Sequence, residues 1–187
     1  GKGHAQMATK IIQLTLTAAS PEKPTTRCPG GGDHQWVLKK ASGSKSLDDK
    51  IQDLKSASKA GTQFEGIAAE HNKKAGTLSD SRDLSEDTDP MVWKCTVAGC
   101  HFARQSREAD HTADSPPGKQ SIVEVKATRS LDERSARQLG RNLQAASQGQ
   151  VAGVIMKVPA GPQRSTLVGQ IRAVAASLGK TVSIIRV

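Results

Sequence analysis

The last third of the chain constrains the fold most. Residues 121–127 (SIVEVKA), 151–158 (VAGVIMKV) and 181–187 (TVSIIRV) are apolar, β-branched segments of strand length. Two stretches of helical period lie between them. Leu139, Leu143 and Ala146 recur on one face of the first; Leu167, Ile171, Val174 and Leu178 do so in the second, over residues 165–178. Ser130-Leu-Asp-Glu133 has the form of a capping box opening the first helix, and Gly149 suits its end. A β-α-β-α-β order of apolar strands requires a sheet covered by helices on both faces and at least partly parallel. The fold class expected is α/β (α+β).

Upstream, residues 10–16 (KIIQLTL) and 35–38 (QWVL) read as short strands, separated by a Pro/Thr/Gly-rich stretch that ends in Cys28-Pro-Gly-Gly-Gly32. This front end resembles an irregular β-ribbon. A helical pattern from Ser46 places Leu47, Ile51 and Leu54 on one face, and a second after Gly61 carries Phe64, Ile67 and Ala68. Residues 73–90 turn polar and acidic without period and read as a loop. Residues 91–97 form a strand that runs into Cys95-Thr-Val-Ala-Gly-Cys100, and a polar stretch closes at the Pro116-Pro117-Gly118 turn. The expected division is residues 1–45 as an N-terminal ribbon and 46–187 as the main domain, with a cysteine hairpin at 91–104 inserted.

The formal charge is +9, and eleven Lys/Arg against three acids lie between Lys119 and Val187, so the basic half is the C-terminal one. A field of that sign favours a polyanionic partner. With two Phe, two Trp and no Tyr, stacking of bases on aromatic rings is excluded as the main mode of binding. No apolar run approaches the roughly 20 residues of a membrane span, and the first residues lack the layout of a signal peptide.

Along strand 121–127, Ile122, Glu124 and Lys126 share one face while Val123, Val125 and Ala127 share the other. Opposite charges two apart on an otherwise buried strand are costly without partners or a task; the bland alternative is a surface ion pair on an edge strand. Asp110 lies upstream, in Ser106-Arg-Glu-Ala-Asp110-His111. The D-x(n)-E-x-K arrangement of Asp110, Glu124 and Lys126, with Ala109 where proline is frequent, resembles the PD-(D/E)xK nuclease superfamily. The surrounding order is similar to that family's αβββαβ core over residues 61–187: the helix with Gly61-Thr-Gln-Phe-Glu65, a hairpin carrying the Asp, the ExK strand, the helix with Gln138-Leu139, and another strand.

The resemblance implies a restriction-endonuclease-like core with a mixed sheet flanked by helices. It implies Asp110 and Glu124 as hard oxygen ligands for catalytic Mg²⁺ or Mn²⁺, and Lys126 as the residue that holds the attacking water. Glu65 is a further ligand or outer partner, or else a solvated helix residue. Gln138 is expected near the site. His111, adjacent to Asp110, faces the other way in an extended segment. Arg134, Arg137, Gln138 and Arg141 gather on one helix face opposite Leu139 and Leu143, which suits phosphate binding, although a solvated face is the ordinary fate of such a stripe.

Three cysteines without a secretory layout argue against a disulfide framework. Cys28-x5-His34 and Cys95-x4-Cys100 are two loops of similar ligand spacing, each next to a tryptophan, and together resemble the knuckles of a zinc ribbon. The expected site is a structural Cys₃His zinc centre of Cys28, His34, Cys95 and Cys100, with His101 the rival fourth ligand and three unrelated thiols the alternative. Zinc would pin the ribbon, which has too few aromatics to hold itself by burial.

The chain also resembles the C-terminal nuclease modules of bacterial polymorphic and contact-dependent inhibition toxins. That resemblance implies a monomeric, metal-dependent endonuclease delivered from the producing bacterium into the cytoplasm of a target cell. There it would cut DNA, and at home a cognate immunity protein would neutralise it. The alternatives are cleavage of tRNA or other RNA by the same fold, a housekeeping or mobile-element endonuclease, and a non-catalytic zinc-ribbon module that binds nucleic acid.

Overall fold

The computed structural model describes residues 27–103 and 109–187; the strand expected over 10–16 lies outside the described residues, as do residues 104–108. Its main sheet has four strands in the order β3 (His111–Asp114), β4 (Gln120–Val125), β5 (Val154–Val158) and β6 (Ser183–Arg186). β3 is antiparallel to β4, while β4, β5 and β6 run parallel, so the sheet is mixed. Each parallel neighbour is reached through one helix, α3 (Glu133–Ala145) and then α4 (Ser165–Ser177), as crossover connections require.

Helices cover both faces. On one, Ile122, Val154, Met156 and Val158 pack with Leu139 and Leu143 of α3 and Leu167, Ile171 and Val174 of α4. On the other, Ala113, Val123, Val125 and Ile155 pack with Phe64 and Ala68 of α2 (Ala60–Lys74). The alternation of β4 thus buries both faces. Outside α2 lies α1 (Leu47–Lys55), joined to it by Leu47, Ile51, Leu54, Ala69, Leu78 and Leu84. The two helices approach closely at Gly66, where a Cβ would stand 2.8 Å from the Lys55 backbone nitrogen and 3.0 Å from Leu54 Cβ.

A second, two-stranded sheet pairs β1 (Trp36–Lys39) antiparallel with β2 (Val92–Cys95), Trp36 opposite Cys95. Its side chains do not form a separate core: Trp36, Met91 and Trp93 belong to the same apolar cluster as Leu139, Leu143 and Ile122. Hydrogen bonds fasten it to the end of α3, with Trp36 N–H donating to Gln148 Oε1 at 3.1 Å and Gln148 Nε2 to the His34 carbonyl at 3.4 Å. The chain leaves α3 through a wide turn, Ala146–Gln150, that ends at Gly149 in the left-handed region (φ 85°).

The Ser130 capping box is corrected by the structure. Asp132 is the N-cap of α3 and its carboxylate accepts from Ser135 N–H at 2.7 Å, while Ser130 lies outside the helix. The polar stretch before Gly118 contains β3, whose residues His111, Thr112 and Ala113 are all buried. The loop after α2 is pinned rather than loose. Lys50, fully buried on α1, donates to the Ser81 and Leu84 carbonyls at 2.8 Å and to Asp89 at 3.3 Å.

Candidate functional site

Two constellations stand out. The first is on the ribbon, where Cys28, His34, Cys95 and Cys100 are all buried and present ligand atoms within 4.8 Å of one another. Cys28 Sγ lies 3.2 Å from His34 Nδ1 and 3.6 Å from Cys95 Sγ, and Cys100 Sγ lies 3.5 Å from His34 Nδ1. Tetrahedral zinc with bonds of about 2.0–2.3 Å sets its ligands roughly 3.3–3.8 Å apart. The spacing and the S₃N donor set fit, so this group can hold a metal ion such as zinc. His34 is the histidine of the group; the rival, His101, is exposed.

Local backbone shapes both knuckles. Gly31 N–H donates to the Cys28 carbonyl, Cys100 N–H to that of Val97, and Cys95 N–H to that of Phe102. Gln35 N–H points at Cys95 Sγ, 3.4 Å away. Burial pushes the Cys28 thiol up to about 12, and the neighbouring Cys95 and Cys100 sulfurs add to the rise. Burial also acts to raise Cys95, but the N–H groups of Val97 and Gln35 together with the Cys28 and Cys100 thiols outweigh it and hold that thiol below its ordinary value. The Phe102 ring stacks on the imidazole of His34 at 4.7 Å and Trp36 flanks it at 4.8 Å, so scarce aromatics are concentrated around this group.

The second constellation lies where β4 ends. A cavity of about 460 Å³ there is lined by Glu65 of α2, Asp110 at the entry to β3, Glu124 and Val125 of β4, and the following Lys126. Asp132, Arg134, Ser135 and Gln138 from the start of α3 close one side, and Asp87 and Pro90 another. All five residues assigned to catalysis from the sequence, Glu65, Asp110, Glu124, Lys126 and Gln138, thus border one space. The amino-terminal end of α3 adds its partial positive charge there, and the carboxyl end of a parallel strand is where open α/β sheets bind ligands.

Fixed hydrogen bonds hold the two central carboxylates. Asp110 Oδ2 accepts from Val125 N–H at 2.7 Å, which ties the start of β3 to the strand bearing Glu124. Glu124 Oε1 accepts from Asn142 Nδ2 at 2.9 Å, and Asn142 Oδ1 in turn accepts from the indole N–H of Trp93 at 2.7 Å. Asp110 and Glu124 are 7% and 5% exposed, so each is desolvated yet borders the cavity.

Of the arginines, Arg134 is exposed and lines the cavity, Arg137 pairs with Glu133, and Arg141 is half-buried further along α3. His111 is turned away from the cavity, its Nε2 2.8 Å from Asn72 Nδ2 of α2, and burial, with the charge of Lys157, lowers it to about 3. Sequence reasoning missed Asp87, because its loop has no period. It also missed Asn142, although a lone amide beside Leu139 and Leu143 on the apolar face of α3 was a legible signal.

Neither family models, curated proteins nor solved structures match this chain. Among the described residues, no helix is long and apolar enough to cross a membrane.

Proposed function

We propose that the chain is a metal-dependent endonuclease of the PD-(D/E)xK type, acting on DNA, with Asp110, Glu124 and Lys126 as its central residues. One observation carries this reading: the five side chains that the resemblance nominates, drawn from α2, the entry to β3, β4 and its end, and α3, border a single cavity. A surface ion pair on an edge strand would give no such convergence. β4 is interior to the sheet and Glu124 is buried.

The carboxylates fit a hard divalent cation. Asp110 and Glu124 would hold Mg²⁺ or Mn²⁺, and Glu65 and Asp87, which line the same cavity, would reach the ion through water. When bound, such an ion polarises a phosphate and lowers the pKa of water. Lys126 would orient the attacking water, and Arg134 and Gln138 would face the phosphodiester backbone, with Arg137 and Arg141 continuing the basic face along α3. The αβββαβ order is read as α2, the irregular segment around Met91, β3, β4, α3 and β5. The segment around Met91 reaches the hairpin through an isolated bridge to Ala109. The buried Cys₃His group serves structure, pinning the ribbon to α3.

On this reading the biological role is that of a toxin module. It would be delivered from one bacterium, act as a monomer in the cytoplasm of another, and be held inactive by a cognate immunity protein. Purified protein incubated with plasmid DNA and with total tRNA, in Mg²⁺, Mn²⁺ or EDTA, tests the chemistry beside Glu124→Gln and Asp110→Asn. Cleavage of DNA that needs metal and falls at least about 100-fold in either variant supports the reading. Cleavage of tRNA alone moves the substrate to RNA. Binding without cleavage in any metal would leave a zinc-ribbon nucleic-acid-binding module, the reading the buried Cys₃His group favours next.

A further inference from the structure

We infer that Trp93 and Asn142 are positioning residues that couple the Cys/His ribbon to Glu124, so that the ribbon sets how tightly the carboxylate cavity takes a divalent cation. The inference rests on the reading of that cavity as a divalent-cation site. Trp93 sits on β2, two residues before the ligand Cys95, and is 1% exposed; Asn142, on α3, is fully buried. Between them they form an unbroken chain of two hydrogen bonds, 2.7 and 2.9 Å long, from the ribbon to a carboxylate of the cavity.

The chemistry of the chain fixes its direction. An indole N–H can only donate, so Trp93 obliges Asn142 to turn its oxygen toward the ribbon. The Asn142 amide nitrogen then faces Glu124, where only a donor is welcome. Without the indole N–H, the Asn142 oxygen loses this donor and the amide is held less firmly toward the carboxylate. A buried asparagine between a donor-only and an acceptor-only group therefore acts as an orientation lock, and the lock is attached to the ribbon. Partners of this outer kind commonly change metal affinity 10–100-fold when removed.

The ribbon itself is held on α3 at a second point. Gln148, in the turn that follows the helix, accepts from Trp36 N–H and donates to the carbonyl of the ligand His34. Both attachments bring metal-holding loops onto the helix that carries Asn142. Taking a hydrogen bond away from a buried polar group is costly, which is what makes the coupling strong.

The test titrates Mn²⁺ into the full zinc-loaded chain by calorimetry, on wild type, Trp93→Phe, Asn142→Leu, Glu124→Gln and a packing control, Val174→Ala, which lies in the same apolar core but outside the hydrogen-bond chain. Near-ultraviolet circular dichroism and zinc content establish that each variant is folded. The expected result is a 10–100-fold weaker Mn²⁺ affinity in Asn142→Leu, a loss of about tenfold or more in Trp93→Phe, and no change in Val174→Ala. Where one of the two relay variants does not fold, the other decides. Wild-type affinity in a folded relay variant, with binding lost in Glu124→Gln, would overturn the coupling and leave the cavity reading intact. Binding that is absent in wild type, or unchanged in Glu124→Gln, would instead remove the cavity reading and this inference with it.

Discussion

Lys157 shows how a single residue is placed against its ordinary preference. Lys157 interrupts the apolar run of β5, is fully buried, and bonds through Nζ to Asn72 Oδ1 at 2.6 Å and His71 Nδ1 at 2.9 Å. Burial pulls it down from 10.5 to about 8. The sign follows from proton counting. Between pH 8 and 10.5 the unfolded chain holds this proton and the folded chain does not, so stability rises with pH across that window. Relative to Lys157→Met, the wild type is expected to gain stability of the order of 2–3 kcal/mol between pH 8 and 10.5. Urea midpoints of the two proteins at both ends of the window measure it, and parallel midpoints would refute it.

Glu124 and Lys126 were legible because alternation on a strand is a strong pattern, whereas Asp110 needed the resemblance to distinguish it from the other acids around it. Lys50 and Lys157 were not marked; a charge inside an apolar run, VIMKV, is the signal that would have found Lys157, whereas Lys50 follows Asp48 and Asp49 on a polar stretch and gives no such signal. Their partners, the loop carbonyls and Asn72, come from remote sequence and leave no local trace.

At the scale of elements, α3, α4, β4 and β5 were readable because their apolar patterns match their burial, and β6 from its β-branched run although it is mostly exposed. β3 was hidden by its own composition: His111 and Thr112 are buried on polar partners, Asn72 and Lys40, rather than facing solvent. The start of α3 separates two ways of capping it. Asp132→Ala is expected to lower stability by about 1 kcal/mol and Ser130→Ala by a few tenths at most, a contrast read directly in chemical denaturation. Where α1 meets α2, Gly66→Ala drives a methyl against the Lys55 backbone. It should destabilise by about 1–3 kcal/mol with an unchanged denaturant slope, as expected for a local packing defect. A loss below about 0.5 kcal/mol would mean that the helices separate freely.

For the molecule as a whole, the division at residue 45 follows the change in composition, but the ribbon pairs residues from both sides of it and shares the main core. Sequence spacing marked the Cys₃His group; the two attachments of the ribbon to α3 needed three dimensions. Chelation of the metal should lower the melting temperature by more than about 5 °C, since binding to the folded state alone is stabilising. Cys95→Ala should match the chelated protein, and scanning calorimetry with and without zinc reads both outcomes.

The strand order also carries a consequence for how the chain assembles. β4, β5 and β6 each adjoin the strand that precedes them, whereas the ribbon joins Trp36 to Cys95 across α1, α2 and their loops. Closing the longer loop has the larger entropic cost and the slower search. The C-terminal βαβαβ half can therefore collapse early, while the indole that orients Asn142 arrives with the last-closing segment. On that order of assembly, completion of the carboxylate site is expected among the final events of folding.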